Sequence, residues 1–154
     1  MVGVAAGCDL DPRAAEPTVP SPTAGAPTEA GEDTDLRLLD QARAATEQAL
    51  ATVLLVRDEY PRLRDSMRPL AALHRVHATA LDEAGRPGAD DPGPVPIAGG
   101  DPTEALAAVR REEARLQRRL AAWSVQAGSG GFAQLLASMS AGVAAHLVDL
   151  PAGP

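Results

Sequence analysis

Apolar residues recur at intervals of three or four positions in four stretches of the chain, and polar or proline-rich sequence separates these stretches. This spacing predicts four amphipathic α-helices, because residues three and four apart lie on the same helix face. The predicted helices cover about residues 35–59, 61–84, 101–127 and 132–149. Leu and Ala dominate the chain while Ile occurs once, which also favours helices over strands.

Local signals mark the ends of these helices. Thr34 is expected to cap the first helix, with Asp35 as an acid in its first turn. The third helix should begin at 101–104, where an N-cap Asp, a Pro and a Glu follow the pattern of a helix start. Pro69 lies inside the second predicted helix, so we expect it to kink that helix or to start its main part.

The connections between the helices predict their arrangement. The short first and third connections predict two antiparallel hairpins. The connection between the two hairpins is about 16 residues long. In an extended conformation it spans up to about 50 Å, whereas each neighbouring helix is about 35 Å long, so the connection can run along the full length of the bundle. Two hairpins joined by a long crossover define the ferritin-like topology. We therefore predict an all-α, antiparallel four-helix bundle over residues 34–150, with the crossover between helices 2 and 3.

The N-terminal part of the chain carries no such periodicity. Residues 9–33 hold five prolines among Ala, Thr, Ser and acids, a composition that predicts a disordered linker. Ahead of them, Ala5-Ala6-Gly7-Cys8 resembles the end of a bacterial lipoprotein signal, in which the cysteine becomes lipidated. The resemblance implies that residues 1–8 are the remnant of a signal ending at Cys8, and that the domain is extracytoplasmic and membrane-anchored. The alternative is an N-terminal thiol without that role.

Charge and composition exclude several kinds of partner. The net charge is −7, and every basic residue apart from the histidines is Arg, which argues against nucleic acid. A single Cys excludes an internal disulfide and a Cys-rich zinc site. No apolar run approaches the roughly 20 residues of a membrane span. Membrane contact is therefore expected only through a lipid at Cys8.

Five ionisable residues fall on or beside the inward-facing positions of the predicted helices: Glu47, His74, His77, Glu113 and His146. A buried carboxylate or imidazole is costly unless it is paired or coordinated. One interpretation is that the five converge on a single Fe, Mn or Zn ion, which nitrogen and oxygen ligands suit. The other is a hydrogen-bonded network in which His74 and His77 pair with Glu113 or Glu47.

The order of hairpin, crossover and hairpin, with His74-Arg-Val-His77 and Ala144-Ala145-His146, resembles a ferritin-like domain. More narrowly, it resembles the domain of unknown function found in exported lipoproteins of high-GC Gram-positive bacteria. The resemblance covers about residues 35–150. Di-iron members of the superfamily use one Glu from each of helices 1 and 3, and Glu-x-x-His from each of helices 2 and 4.

That pattern assigns residues of this chain only in part. Glu47 and Glu113 match the single acids, and His77 and His146 match the two histidines. The remaining two carboxylate positions are His74 and Val143. The resemblance thus implies two carboxylates instead of four, which favours a mononuclear site over a di-iron oxidase.

These observations lead to two functional expectations. The first is a non-catalytic, envelope-anchored domain that binds or scaffolds a partner, either an envelope protein or a second copy in a homodimer. The alternative is a metal-binding bundle with weak oxidase or metal-sequestering activity. No Ser/His/Asp or Cys/His arrangement with supporting motifs occurs, so we predict no catalytic residue.

Overall fold

The computed structural model describes residues 29–85 and 100–151. These ranges form four α-helices: α1 (Glu29–Glu59), α2 (Arg64–Ala84), α3 (Pro102–Gln126) and α4 (Gly130–Asp149). A short 3-10 helix, Pro61–Leu63, lies between α1 and α2. No strand occurs within the described ranges. The all-helical prediction is confirmed, and the four helices pack together, α1 and α4 each against both α2 and α3.

The helices enclose two apolar cores. The first core combines the C-terminal half of α1 with the beginnings of α2 and α3 and the residue after α4; its buried members include Val53, Val56, Met67, Leu70, Leu106, Val109 and Leu150. The second core combines the N-terminal half of α1 with the ends of α2 and α3 and with α4; its buried members include Leu39, Ala42, Leu81, Leu116, Leu120, Leu136, Met139 and Val143. Buried polar residues of α2 and α3 lie between the two cores along those helices.

The inward-facing positions of α2 and α3 agree with the sequence pattern. In the second predicted helix, the residues spaced three and four apart are all buried, namely Leu63, Met67, Leu70, His74, His77 and Leu81. Along α3 the same spacing gives the buried residues Leu106, Val109, Glu113, Leu116 and Leu120, whereas Trp123, the last predicted position, is half-buried. Pro69 lies on the exposed side of α2, which continues through it. The spacing of three and four residues was therefore sufficient to identify these two faces.

The beginning of α1 differs from the prediction. Residues 29–33, predicted as linker, are helical, so the helical domain begins before residue 34. Thr34 is not a cap but lies within α1, where its hydroxyl donates to the Ala30 carbonyl at 2.9 Å. The physical reason is a set of contacts with the α3–α4 connection. A Cβ added to Gly128 would lie only 2.9 Å from Gly31 Cα, so the two backbones are in close contact.

Asp35 completes this attachment in an arrangement that we call the Asp35 clamp. Its carboxylate accepts hydrogen bonds from the backbone N–H of Gly128 at 2.6 Å and of Ser129 at 2.9 Å. Asp35 was expected to stabilise its own helix, but it holds the start of α4 instead. Ser129 caps α4 through its hydroxyl, which accepts from the Phe132 N–H, and α4 begins at Gly130 rather than at 132.

The start of α3 follows the sequence signal. The Asp101 carboxylate accepts from the backbone N–H of Thr103 at 2.8 Å and of Glu104 at 2.9 Å. The Glu104 carboxylate accepts from the Gly100 N–H at 2.9 Å. The first turn of α3 is thus held by reciprocal side-chain hydrogen bonds, and its predicted position is confirmed.

Helix α4 has an unusual composition. It is 20 residues long with a mean hydropathy of 1.4 over its most apolar window, so by length and composition it is apolar enough to cross a membrane. The helix holds no uninterrupted apolar run of this length, since Gln134, Ser138 and His146 interrupt it, but the absence of charge before Asp149 keeps its average high. Only 22% of that window is buried within the described structure.

Candidate functional site

The best candidate site is a buried polar centre formed by His74 and His77 on α2 and Glu113 on α3. His74 Nε2 and Glu113 Oε1 are hydrogen-bonded to each other at 2.9 Å. The side chains of His74 and Glu113 are 0% and 2% exposed. A hydrogen bond shielded from water in this way is stronger than one at the surface, and losing either partner leaves the other buried and unsatisfied. The pair is one of the networks that the sequence predicted.

His77 is the third member of the polar centre. Its ring lies 6.2 Å from that of His74, centroid to centroid, in an edge-to-face arrangement. A Cβ added to Gly142 would lie 3.4 Å from His77 Nε2, so the absence of a side chain at Gly142 lets α4 approach α2 closely. Burial, followed by the neighbouring His74 and His146, lowers the pKa of His77 from 6.5 to about 4. The imidazole is therefore neutral at pH 7.

The polar centre retains hydrogen-bonding capacity that the described chain does not use. Nδ1 of His74, Nδ1 of His77 and Oε2 of Glu113 are buried without a hydrogen-bond partner. Most buried polar atoms in proteins have a partner, and an unmet one costs stability. Among the described residues, these three atoms are the strongest indication of a site that could bind a ligand.

The other two candidate ligands are less buried than the three residues of the polar centre. Glu47 is half-buried on α1, and its neighbour Thr46 occupies the fully buried position. His146 is half-buried near the end of α4, where it lines a surface pocket of about 330 Å³ with Asp65 and Asp149. Glu47 lies one position off the inward face, and His146 lies beside the beginning of α2, before His74.

The five predicted ligands are therefore not assembled as one metal centre. Within residues 29–85 and 100–151, no three His, Cys, Asp or Glu side chains form a group with metal-binding geometry. The structure joins His74 to Glu113 and places His77 beside them, with His146 near enough to lower the pKa of His77, but the five residues do not form a metal-binding cluster. Cys8 lies outside the described residues.

Arg43 is a buried residue that the sequence analysis missed. It is 4% exposed, and its Nε donates to Asp82 Oδ1 and its Nη2 to the Leu81 carbonyl, both at 2.9 Å. A signal was present, since the predicted apolar face of the first helix has a gap between Leu39 and Leu50. Arg43 lies one helical turn after Leu39 and fills that gap. Its bonds tie α1 to the end of α2, which is a structural role.

An open groove of about 510 Å³ lies beside the second core. Its walls come from the beginning of α1, the end of α2 and the beginning of α4, with lining residues that include Leu36, Leu39, Ala84, Phe132 and Leu135. Leu36 lies three residues before buried Leu39, a spacing that predicts the same inward face, but it is 58% exposed at this groove. Glu32 and Asp35 add carboxylates to the mostly apolar lining.

Comparisons of the chain with protein-family models, with characterised proteins and with solved structures found no match. Arguments about function therefore depend on the geometry of the described residues and on the sequence.

Proposed function

We propose that the chain is an antiparallel four-helix bundle of ferritin-like topology that binds or scaffolds a partner without catalysis. The composition of the two cores supports this topology. The first core contains the end of α1, the beginnings of α2 and α3, and Leu150 after α4. The second contains the beginning of α1 and the ends of α2 and α3. Such a distribution favours two antiparallel hairpins with a crossover between α2 and α3.

The hydrogen bond between His74 and Glu113 is the observation that carries the non-catalytic interpretation. It pairs two of the five candidate ligands with each other, between two apolar cores. A general acid or base must come within hydrogen-bonding reach of its substrate. His74 and Glu113 are at most 2% exposed, which supports a structural role in joining α2 to α3.

The proposal places the domain outside the cell membrane, held by lipidated Cys8 and the proline-rich residues that follow. The support for this location is the sequence Ala5-Ala6-Gly7-Cys8 and the linker composition up to the start of α1. The bundle belongs, in this proposal, to the ferritin-like type found in exported lipoproteins. Its partner is an envelope protein or a second copy.

Metal binding is the second candidate function, and the unpartnered atoms of the polar centre favour it. Glu113 Oε2 and His77 Nδ1 are buried and unpaired, and carboxylate oxygen and imidazole nitrogen suit Fe, Mn or Zn. The residues as arranged do not fit a metal centre, because His74 Nε2 and Glu113 Oε1 are bonded to each other. Loading one ion requires that bond to open, and the function would then be metal sequestration or weak oxidase activity.

Two measurements on the purified full chain separate these functions. Elemental analysis should find less than one tenth of an equivalent, roughly, of Fe, Mn or Zn, and a chelator should leave the melting temperature unchanged, because a resident ion would stabilise the fold. The double variant His74→Leu/Glu113→Leu should keep its stability within about 1 kcal/mol, since both partners of a buried pair are replaced together. The single variant Glu113→Leu should lose about 1–3 kcal/mol, because His74 is left unpaired.

Metal near one equivalent that disappears in His77→Ala would establish the second candidate and contradict the first. A double variant that loses more stability than the single one would show that the pair has a role that apolar packing cannot replace.

A further inference from the structure

The outer face of α4 carries no charge. Its exposed residues recur at intervals of three or four positions, and Asp149 is the first acid or Arg in the helix. Val148 is 83% exposed. The exposed positions along this face are Gln134, Ala137, Ser138, Ala141, Ala145 and Val148.

An apolar stripe on α2 continues this face. Pro69, Leu73, Val76 and Ala80 follow one another at helical spacing, and Val76 is 66% exposed. A Cβ on Gly142 of α4 would lie 3.3 Å from Leu73 Cδ1, so the stripe runs beside α4. Pro69 also shares a surface pocket with His146. We call the stripe and the outer face of α4 together the α2–α4 face.

The area of the α2–α4 face is sufficient for a specific interface only when both helices contribute. A 20-residue helix is about 30 Å long and 10–12 Å wide, so α4 alone presents roughly 300 Å². Adding α2 brings the face to roughly 600 Å² per partner, or about 1,200 Å² in total, the lower limit for a stable protein–protein interface. Area alone does not set affinity, so a test of this interface has to cover a wide range of concentrations.

Charge indicates which partner fits. The chain has a net charge of −7, so two copies repel each other over most of their surfaces. Exposed Arg, Asp and Glu residues occur on α1, α2 and α3, whereas α4 up to Val148 has none. Contact through the α2–α4 face keeps like charges apart and removes exposed apolar surface from water. Helices that bind membrane surfaces typically carry Lys or Arg, which α4 lacks.

We propose that the α2–α4 face binds a second copy of this chain, with the two α4 helices antiparallel across a two-fold axis at Ala141. This inference rests on the proposed partner-binding function and specifies its partner. Ala141 lies midway between Gln134 and Val148, so an isologous pair places it opposite its own symmetry mate. The spacing of Ala137, Ala141 and Ala145 permits the helices to approach within about 8 Å.

The test is sedimentation equilibrium of the full chain from about 1 to about 200 µM, a range that detects a dimer with a dissociation constant in or below the micromolar range. We expect a reversible dimer. Ala141→Arg should weaken it at least tenfold or so, because it brings two like charges together at the axis. Val76→Arg should weaken it too. Ala44→Arg is the matched control, because Ala44 is exposed on α1 and the substitution changes the net charge equally. Circular dichroism confirms that each variant is folded.

Cysteine crosslinking provides a second readout. In a Cys8→Ser background, Ala141→Cys should form a disulfide-linked dimer under mild oxidation, and Ala44→Cys should not.

A monomer throughout the concentration range would overturn the proposal. So would a dimer unaffected by Ala141→Arg and Val76→Arg, or a monomer that binds vesicles of phosphatidylethanolamine and phosphatidylglycerol. These results leave the metal analysis untouched, so failure of the dimer and failure of the non-catalytic function are distinguishable.

Discussion

His77 shows how burial sets the chemistry of a single residue. The unfolded chain protonates this imidazole near pH 6.5, whereas in the folded protein burial and the neighbouring His74 and His146 lower its pKa to about 4. Protons therefore bind the unfolded state first, and stability is complete above about pH 6.5 and decreases as the pH falls toward 4. The shift from 6.5 to about 4 corresponds to about 3 kcal/mol, and solvent screening reduces the decrease from this residue to on the order of 2 kcal/mol.

Replacing His77 tests this account. The unfolding free energy of the wild type should fall more steeply than that of His77→Leu as the pH decreases from about 7 to about 4.5. The readout is the slope with pH, because the substitution also changes packing. Nuclear magnetic resonance titration of the folded wild type should place the imidazole midpoint near 4. A midpoint near 6.5 would contradict the burial of His77.

At the scale of the elements, α1 and α4 depend on each other through the Asp35 clamp. The carboxylate of Asp35 accepts two of the backbone N–H groups at the α3–α4 connection. An acid at this place also interacts favourably with the positive end of the α4 dipole. The start of α4 is therefore stabilised from another helix as well as by its own cap, Ser129.

Removing the clamp should weaken the whole domain. Asp35→Ala is expected to lower the unfolding free energy by about 1–2 kcal/mol, the usual cost of losing a cap. Chemical denaturation measures the loss. Asp33→Ala is the control, since Asp33 is an exposed acid two positions earlier in α1. Equal losses in the two variants would show that charge, and not the hydrogen bonds to Gly128 and Ser129, is responsible.

The elements also show what could be predicted from the sequence. The spacing of apolar residues identified the buried faces of α2 and α3, and Asp101 marked the start of α3. The start of α1 was not predicted, because it depends on Gly128 and Asp35 meeting across the fold. No local signal encodes such a contact.

The residues of the polar centre were also predicted from the sequence, but the contacts between them were not. His74, His77 and Glu113 were identified as inward residues, and all three are buried. The sequence could not show that Nε2 of His74 bonds directly to Glu113, because that depends on the relative height of α2 and α3. Nor could it distinguish Glu47 from Thr46, since one position decides which of them is buried.

At the scale of the whole molecule, the two apolar cores are separated by the polar centre along α2 and α3. Each core draws residues from all four helices or from the residue that follows them, so neither core belongs to one hairpin. We therefore expect the domain to unfold in one cooperative transition, although its buried apolar residues form two separate cores, with half-buried Leu147 packed against both.

A double-mutant cycle tests this separation. Val53→Ala in the first core and Val143→Ala in the second should each cost about 2 kcal/mol, since both residues are fully buried. Their effects should add within about 0.5 kcal/mol, because Val53 and Val143 belong to different cores, whose shared contact among the described residues is half-buried Leu147. Denaturation of both single variants and the double variant provides the comparison. A coupling well above that value would show that the polar centre transmits packing between the cores.

The Asp35 clamp has a further consequence for the order in which the molecule is completed. The acceptor for the Gly128 N–H lies 93 residues earlier in the chain, so the last helical hairpin by itself keeps the Ser129 cap but lacks the carboxylate that binds this amide. Asp35 is synthesised before the α3–α4 connection, so the acceptor is already present when Gly128 and Ser129 leave the ribosome. In a fragment that begins at Gly100, by contrast, the N–H groups of Gly128 and Ser129 should be left to solvent. A separate peptide of residues 29–59 that binds this fragment should supply the Asp35 carboxylate again.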